Sequence, residues 1–396
     1  MEKIKGGLET VKGYSFSSLE CGIRYDNRLD YTIISADNFC NAAGVFTTNK
    51  IYAAPVKICR ERINNSIKAI IINSTNANAC TGSKGYENAA AITRDISEKL
   101  DVKPENILMA STGIIGRQLP LEKMIKSHNR LIKGLSSANG DSVARAIMTT
   151  DTVPKYCAVK FTCAQKEYTM AGVAKGSGMI APDMATLLSF IITDAPVSKE
   201  DLNRIFKEKI ETTYNSITID GDTSTNDTAI ILAPISDEPL KNDSDIKNFS
   251  QALEFLLSDL AEKLMFDGEG VSKVVKINVS SARNKKDANL IAKSVSRSLL
   301  VKTAIFGNDP NWGRIACAAG YSGAEIEEDL LTIMIEDKAL FKKGETLDVN
   351  YTDLEEILKR NSYSINIDIG LGSGHSSIFT SDLSYEYVKI NAEYST

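Results

Sequence analysis

Leu253, Leu256, Leu257, Leu260 and Leu264 recur at helical spacing, so Ser250 to Phe266 is predicted to form a helix with one continuous apolar stripe. That stripe has to lie against a sheet or another helix. Strand-like runs are spread along the whole chain: Lys68 to Asn73 (KAIIIN), Lys155 to Cys163, Leu187 to Thr193 (LLSFIIT), Val274 to Val279, Leu331 to Ile335, Ser364 to Ile369 and Leu383 to Ile390. The second and the last alternate in character and are expected to bury one face each. Further helices are predicted at Tyr86 to Leu100, after Pro120, from Ser198 with Asp201 three residues on, at Asp287 to Leu300, and at Thr352 to Asn361, where Thr352 and Glu355 are set for a capping box. No internal repeat or low-complexity tract interrupts the mixture, which is that of an α/β assembly. The 396 residues suffice for two or three domains at about 150 residues each. The most polar connection, Asp237 to Lys247, is expected to be a surface loop. A domain boundary could fall there or near residue 280, where SSARNKKD follows a strand.

Charge and cysteine usage exclude several classes. Lys and Arg number 46 against 51 Asp and Glu, a net charge of -5, so no basic surplus exists to neutralise a phosphate backbone. The longest weakly polar stretch, Gly178 to Ala195, is broken by Pro182, Asp183 and Asp194 and is too polar to span a membrane. The start, MEKIKGGLETVKG, has no apolar run of the secretory kind, and a cytoplasmic location is expected. Seven scattered cysteines without a CxxC pair suit a reducing compartment and no structural zinc; they are expected to be core thiols.

Histidine chemistry is scarce. There are two histidines, and His128 sits in KMIKSHNRLIK, which reads as a solvated helix face. No GxSxG elbow and no GxxxxGK[ST] phosphate loop occurs. Asp220 to Thr228 (DGDTSTNDT) is rich in oxygen ligands but lacks the spacing of a calcium loop, so a hydrogen-bonded turn is expected there rather than a metal. Gly370 to Gly374 (GLGSG) is expected to be a turn between two antiparallel strands rather than a dinucleotide loop. What remains is Lys175 to Thr186 (KGSGMIAPDMAT), a glycine-rich approach ending in a hydroxyl residue at the head of LLSFIIT. Such a hydroxyl can attack the preceding carbonyl, free an N-terminal Thr, and then use the new α-amino group, with a reference pKa of about 7.7 to 8, as its base. The other reading is a glycine-rich turn in which Thr186 simply starts a strand.

The motifs AAGVFTTN (42–49), NSTNANACTG (73–82), ASTGIIG (110–116), MTTDT (148–152), AKGSGMIAPDMAT (174–186), DGDTSTNDT (220–228), DGEG (267–270), KTAIFGNDPNWGR (302–314) and the final YEYVKINAEYST resemble the ornithine acetyltransferase family over nearly the whole chain. This family is also called the glutamate N-acetyltransferase or arginine-biosynthesis bifunctional acetyltransferase family. The resemblance implies that Thr186 is the nucleophile and that the chain cuts itself between Ala185 and Thr186. It implies that Thr112 and Gly113 stabilise the oxyanion, and that Thr149, Lys175, Thr186, Glu269, Asn391 and Thr396 bind substrate. The implied reaction is ping-pong transfer of acetyl from N2-acetylornithine to glutamate. No cofactor or metal is needed, and acetyl-CoA serves as a further donor in some members.

The resemblance further implies a four-layer αββα sandwich similar to N-terminal nucleophile hydrolases over residues 1–280, with a smaller α/β domain over 281–396 whose tail returns to the site. Two copies of each cleavage fragment would form a heterotetramer. Thr75 and Asp183 depart from the family pattern, which has Gly and Asn there. A self-cleaving aminopeptidase or amidase, with water as acceptor, and a non-enzymatic amino-acid-binding protein are the alternatives.

Overall fold

The computed structural model describes residues 1–181 and 187–393. Asp183, Ala185, Thr186 and Thr396 lie outside the described residues. The chain opens with β1 (Glu2–Ile4), β2 (Tyr14–Leu19), β3 (Tyr31–Phe46), α1 (Ala54–Arg62), β4 (Ile67–Asn73), α2 (Gly82–Lys99), β5 (Ile107–Ser111), α3 (Leu121–Lys133) and α4 (Gly140–Ala146). It continues with β6 (Lys155–Cys163), β7 (Lys166–Lys175), β8 (Leu188–Thr193), α5 (Lys199–Thr212), β9 (Ile217–Thr218), β10 (Thr228–Pro234) and α6 (Asp243–Phe266). Among the described residues the first sheet runs β1-β6-β7-β8-β10-β3-β4-β5, with β2 added on β3.

The 16-residue β3 shapes this sheet. Its Tyr31–Ser35 pair with β4 and its Cys40–Phe46 with β10, and the register breaks between Ser35 and Cys40, where residues 37–39 are exposed. The sheet therefore doubles back on itself. Ile34, Ile70, Ile72 and Leu108 from one half meet Val173, Phe190, Ile230 and Leu232 from the other in a shared core. Residues of the opposite parity face outward, as the period of two requires. Met170, Ile191, Ala229 and Ile231 pack on Leu256, Leu257, Leu260 and Leu264 of α6 and on Leu202 and Phe206 of α5. Ile33, Ile71 and Met109 pack on Ile58 of α1, Ile92 and Ile96 of α2 and Met124 of α3. The result is the expected sequence of layers, α, β, β, α. The five leucines of the α6 stripe are fully buried, each worth about 2 kcal/mol of transfer free energy.

The second half contains β11 (Val274–Ala282), α7 (Lys285–Arg297), α8 (Leu299–Phe306), α9 (Trp312–Gly320), β12 (Thr332–Ile335), β13 (Lys338–Lys342), β14 (Glu345–Thr346), α10 (Tyr351–Leu358), β15 (Ser362–Asp368), β16 (Gly374–Ser381) and α11 (Tyr385–Glu393). Its sheet runs β14-β13-β12-β15-β11-β16-β9. Ile277, Val279, Ile365 and Ile367 on one face pack on Ile291, Val295, Ile315 and Leu354 of the helices. The short β9 comes from between β8 and β10 and pairs with β16, so one strand of this sheet is supplied by the first half.

Several expectations need correction. Leu383–Ile390 is not a strand: β16 ends at Ser381 and α11 starts at Tyr385. Asp382 turns the chain by accepting from the Ser272 and Lys273 N–H groups, and Ser384 Oγ accepts from the Tyr387 N–H, so aromatic propensity yields to a helix start. Asp237–Lys247 is only partly a loop, because α6 begins at Asp243. In α10 the cap is Asn350, whose side chain accepts from the Thr352 N–H. GLGSG joins two antiparallel strands, but both pair with β11, which lies between them.

His128 is not solvated. It is fully buried, with Nε2 2.8 Å from the Tyr31 hydroxyl and Nδ1 bonded to Asp95. Burial lowers its pKa and Asp95 opposes that. Five cysteines are buried, but Cys80 and Cys317 are exposed. Among the described residues no helix is long and apolar enough to cross a membrane, and no group of three or more His, Cys, Asp or Glu could hold a metal ion.

Candidate active site

Strand ends of the first sheet converge on one small cleft of about 100 Å³, lined by Thr112, Gly113, Thr149, Lys175, Glu269 and Asn391 together with Ser224, Thr225 and Asn226. Six residues named from the sequence thus meet although they span 279 positions, from 112 to 391. A larger cavity of about 420 Å³ between α5, α6 and the second sheet is mostly apolar and has one charged group, Glu262. It lacks the paired charges of the smaller cleft.

Thr112 and Gly113 leave the end of β5. The Thr112 N–H donates to the Asn73 carbonyl at 3.0 Å and the Ile114 N–H to that of Thr75 at 3.3 Å, which fixes the residues between them. Gly113 has φ +131, and a Cβ there would lie 2.2 Å from the Thr75 carbonyl carbon. Only glycine fits this turn. Among the described residues the Gly113 N–H makes no hydrogen bond to a backbone carbonyl, and Gly113 and Thr112 both line the cleft. Asn226 ties the two loops together, donating to the Ala77 carbonyl at 2.6 Å and the Ser111 carbonyl at 2.8 Å.

Lys175 is the last residue of β7, and its backbone pairs with Leu188 of β8. It is 4% exposed; its Nζ donates to Thr149 Oγ1 at 2.7 Å and to Thr112 Oγ1 at 3.4 Å. Burial lowers its pKa, and the Asp151 carboxylate 4.0 Å away raises it. Asp151 also accepts from the Thr149 N–H at 2.9 Å, the Gly176 N–H at 2.8 Å and Lys155 Nζ at 2.6 Å. Burial alone would raise the Asp151 pKa, but Lys175 and then Lys155 outweigh it and hold it at about 2.

Glu269 faces the cleft from the turn after α6. Its N–H donates to the Ser177 carbonyl at 2.7 Å, and its carboxylate lies so close over Gly178 that a Cβ there would meet Oε2 at 2.4 Å. Asn391 Nδ2 on α11 donates to Glu269 Oε2 at 3.0 Å. Asp220 joins both neighbours of the cleft, accepting from the Met179 N–H at 2.5 Å and from the Tyr387 hydroxyl of α11 at 3.3 Å. Burial raises its pKa to about 6. Within DGDTSTNDT the Asp222 N–H donates to Asp220 Oδ1 and the Asn226 N–H to Ser224 Oγ, with residues 224–228 buried and Asp222 exposed. Asp151 and Asp220 were missed as site residues; the available signal was an Asp two residues after Thr149 and an acidic segment with no metal spacing.

A buried ammonium, a carboxylate, two threonine hydroxyls and a glycine N–H around one small cleft suit a molecule with a carboxylate, an amine and a polarised carbonyl. The fold and cleft define an αββα protein built to hold such a small amino-acid-like ligand. The chain belongs to the ArgJ family, whose model matches residues 15–396. An arginine biosynthesis bifunctional protein ArgJ of Geobacter sulfurreducens is 43% identical over 397 residues, covering 98% of this chain and all of the relative. One of Caldanaerobacter subterraneus subsp. tengcongensis is 42% identical with both chains fully covered. The crystal structure of an arginine biosynthesis bifunctional protein argJ from Bacillus halodurans is 37% identical over 53% of this chain and all of that chain, with a TM-score of 0.49.

Proposed function

We propose that this chain is an acetyltransferase of arginine biosynthesis that moves the acetyl group of N2-acetylornithine to glutamate through an acetyl ester on Thr186. The observation that carries the reading is the meeting of Thr112, Gly113, Thr149, Lys175, Glu269 and Asn391 in one cleft. In this reading the Gly113 N–H and Thr112 hydroxyl receive the negative charge that develops on the acetyl carbonyl oxygen. Lys175 pairs with the substrate α-carboxylate, Glu269 with its amine, and Thr149, Asn391 and Thr396 add neutral hydrogen bonds. The amine of Thr186, freed by self-cleavage after Ala185, takes the hydroxyl proton as Thr186 attacks. Ornithine leaves, glutamate enters, and its amine takes the acetyl group. The protein supplies every group this transfer needs, and acetyl-CoA belongs to the same reading as a further acetyl donor.

The fragments would stay together after the cut. Leu188–Thr193 of β8 pair with Lys175–Met170 of β7, and Thr228–Pro234 of β10 with Phe46–Cys40 of β3, so strands of both fragments alternate in one sheet. Intact mass and a denaturing gel of the parent beside Thr186→Ala test the mechanism. Dividing 43.1 kDa in proportion to length at that bond gives fragments of about 20 and about 23 kDa for the parent, and a single chain for the variant. Acetylglutamate formed from acetylornithine and glutamate completes the test. A parent that stays whole refutes the mechanism, and release of free acetate without acetylglutamate would identify a hydrolase instead.

A further inference from the structure

Self-cleavage poses a problem that transfer does not. The α-amine of Thr186 can serve as base only after the cut, because before it the nitrogen is part of the peptide bond. Another group must take the hydroxyl proton in the first event. The carboxyls around the cleft differ in their freedom to do so. Asp151 is saturated by two N–H groups and a lysine and held at about 2, which makes it a weak base. Asp220 is engaged by Met179, Asp222 and Tyr387. Glu269 is bonded to Asn391 across the cleft.

Asp227 is different. It is 1% exposed, and neither carboxylate oxygen has a partner in hydrogen-bond geometry among the described residues, although the Leu187 N–H and the Thr47 hydroxyl lie near enough to act on its charge. The neighbouring Thr47 hydroxyl donates to the Ser224 carbonyl at 2.5 Å. Asp227 directly follows Ser224, Thr225 and Asn226, which line the cleft. Across the parallel pair of β10 and β8 it stands beside Leu187, whose carbonyl accepts from the Thr228 N–H at 3.0 Å. Leu187 is the residue after Thr186. A buried carboxyl without aligned partners is unfavourable, and an Asn of the same shape would be cheaper to bury, so stability does not explain an Asp here. Burial holds the carboxyl well above its ordinary pKa, which makes it a stronger base than a solvated Asp; the Leu187 N–H, Thr47 and the Lys175 ammonium, the charge that acts on it, only partly offset this.

We infer that Asp227 is the proton acceptor of self-cleavage, an assignment that rests on the Thr186 mechanism proposed above. Thr186 Oγ adds to the Ala185 carbonyl carbon as its proton passes to an Asp227 oxygen. The C–N bond then breaks and the same proton goes to the departing nitrogen, leaving an ester and a free amine. Water hydrolyses the ester to the Ala185 carboxylate and restores the Thr186 hydroxyl.

The test is a cleavage time course of the full chain made by cell-free translation, comparing parent, Asp227→Asn and Thr186→Ala on denaturing gels, with thermal melts of each. Asp227→Asn is expected to fold, to melt no lower than Thr186→Ala, and to cleave about 100-fold or more slower than the parent. Cleavage within twofold of the parent overturns the assignment. If Asp227→Asn gives no cooperative melt, the parent and Asp220→Asn decide together: a cleavage rate that climbs with pH through one ionisation above the ordinary carboxylate range in both supports Asp227, and a rate constant from pH 5 to 9, or a climb that Asp220→Asn abolishes, overturns it. A parent that is never cut, or cut at another bond, overturns the underlying mechanism together with this assignment, whereas a parent cut before Thr186 beside an equally fast Asp227→Asn overturns this assignment alone.

Discussion

Replacing Asp151 by Asn should cost both stability and substrate recognition, through loss of one carboxylate. In the folded chain that group is held at about 2 against an ordinary 3.8, by Lys175 and Lys155 acting against burial. The displacement is worth about 2 kcal/mol, at roughly 1.4 kcal/mol per pH unit. Because the carboxyl is almost wholly buried, solvent screens little of this. The folded-state value lies below the unfolded one, so the contribution is present in full above about pH 4 and is lost as pH falls towards 2. Urea unfolding of Asp151→Asn in a Thr186→Ala background, which keeps a single chain, should therefore show a loss of about 2 kcal/mol at pH 7. In the cleaving background Lys175 loses its counter-charge and gives up its proton at a lower pH. KM for acetylornithine and glutamate should rise, and the alkaline limb of kcat/KM should move to lower pH. A stability loss below about 0.5 kcal/mol at pH 7 with an unmoved alkaline limb would refute the reasoning.

Two further substitutions probe the turn beside the cleft. Gly113→Ala should place a methyl 2.2 Å from the Thr75 carbonyl carbon at φ +131, lowering stability by about 1 to 3 kcal/mol and transfer by about 100-fold or more as the N–H moves; activity near that of the parent would show that this N–H does not stabilise the oxyanion. Thr75 itself is a buried β-branched residue at φ +71 whose hydroxyl has no partner among the described residues. Thr75→Gly should raise stability by about 1 kcal/mol, seen as a higher Tm, and an unchanged or lower Tm would show that the strain is relieved in some other way.

Much of the fold was written in local pattern. The leucine stripe of α6, the unbroken apolar run of β8 and the alternation of β6 each depend on spacing along a few residues, and spacing is visible in a sequence. The same holds for the Ser198 cap of α5, where the Ser198 side chain accepts from the Asp201 N–H. The site was legible only as scattered motifs whose resemblance to a family linked them. Nothing in ASTGIIG or DGEG taken alone places Gly113 near Glu269, because their meeting depends on the doubled-back sheet and on the turn after α6.

What only the tertiary structure decided follows from contacts between distant residues. His128 sits in a helix rich in Lys and Arg, yet Tyr31 and Asp95 from other elements enclose it. YEYVKI has strand-like composition but becomes α11, because Asp382 turns the chain and Ser384 caps a helix start. Asp151 and Asp227 are both acidic residues next to cleft positions, and sequence treats them alike. Burial raises the pKa of both, but Asp151 gains two lysines and Asp227 gains no aligned partner, so one is driven down and the other up. Their charges depend on what the fold brings within a few ångströms, which no local pattern records.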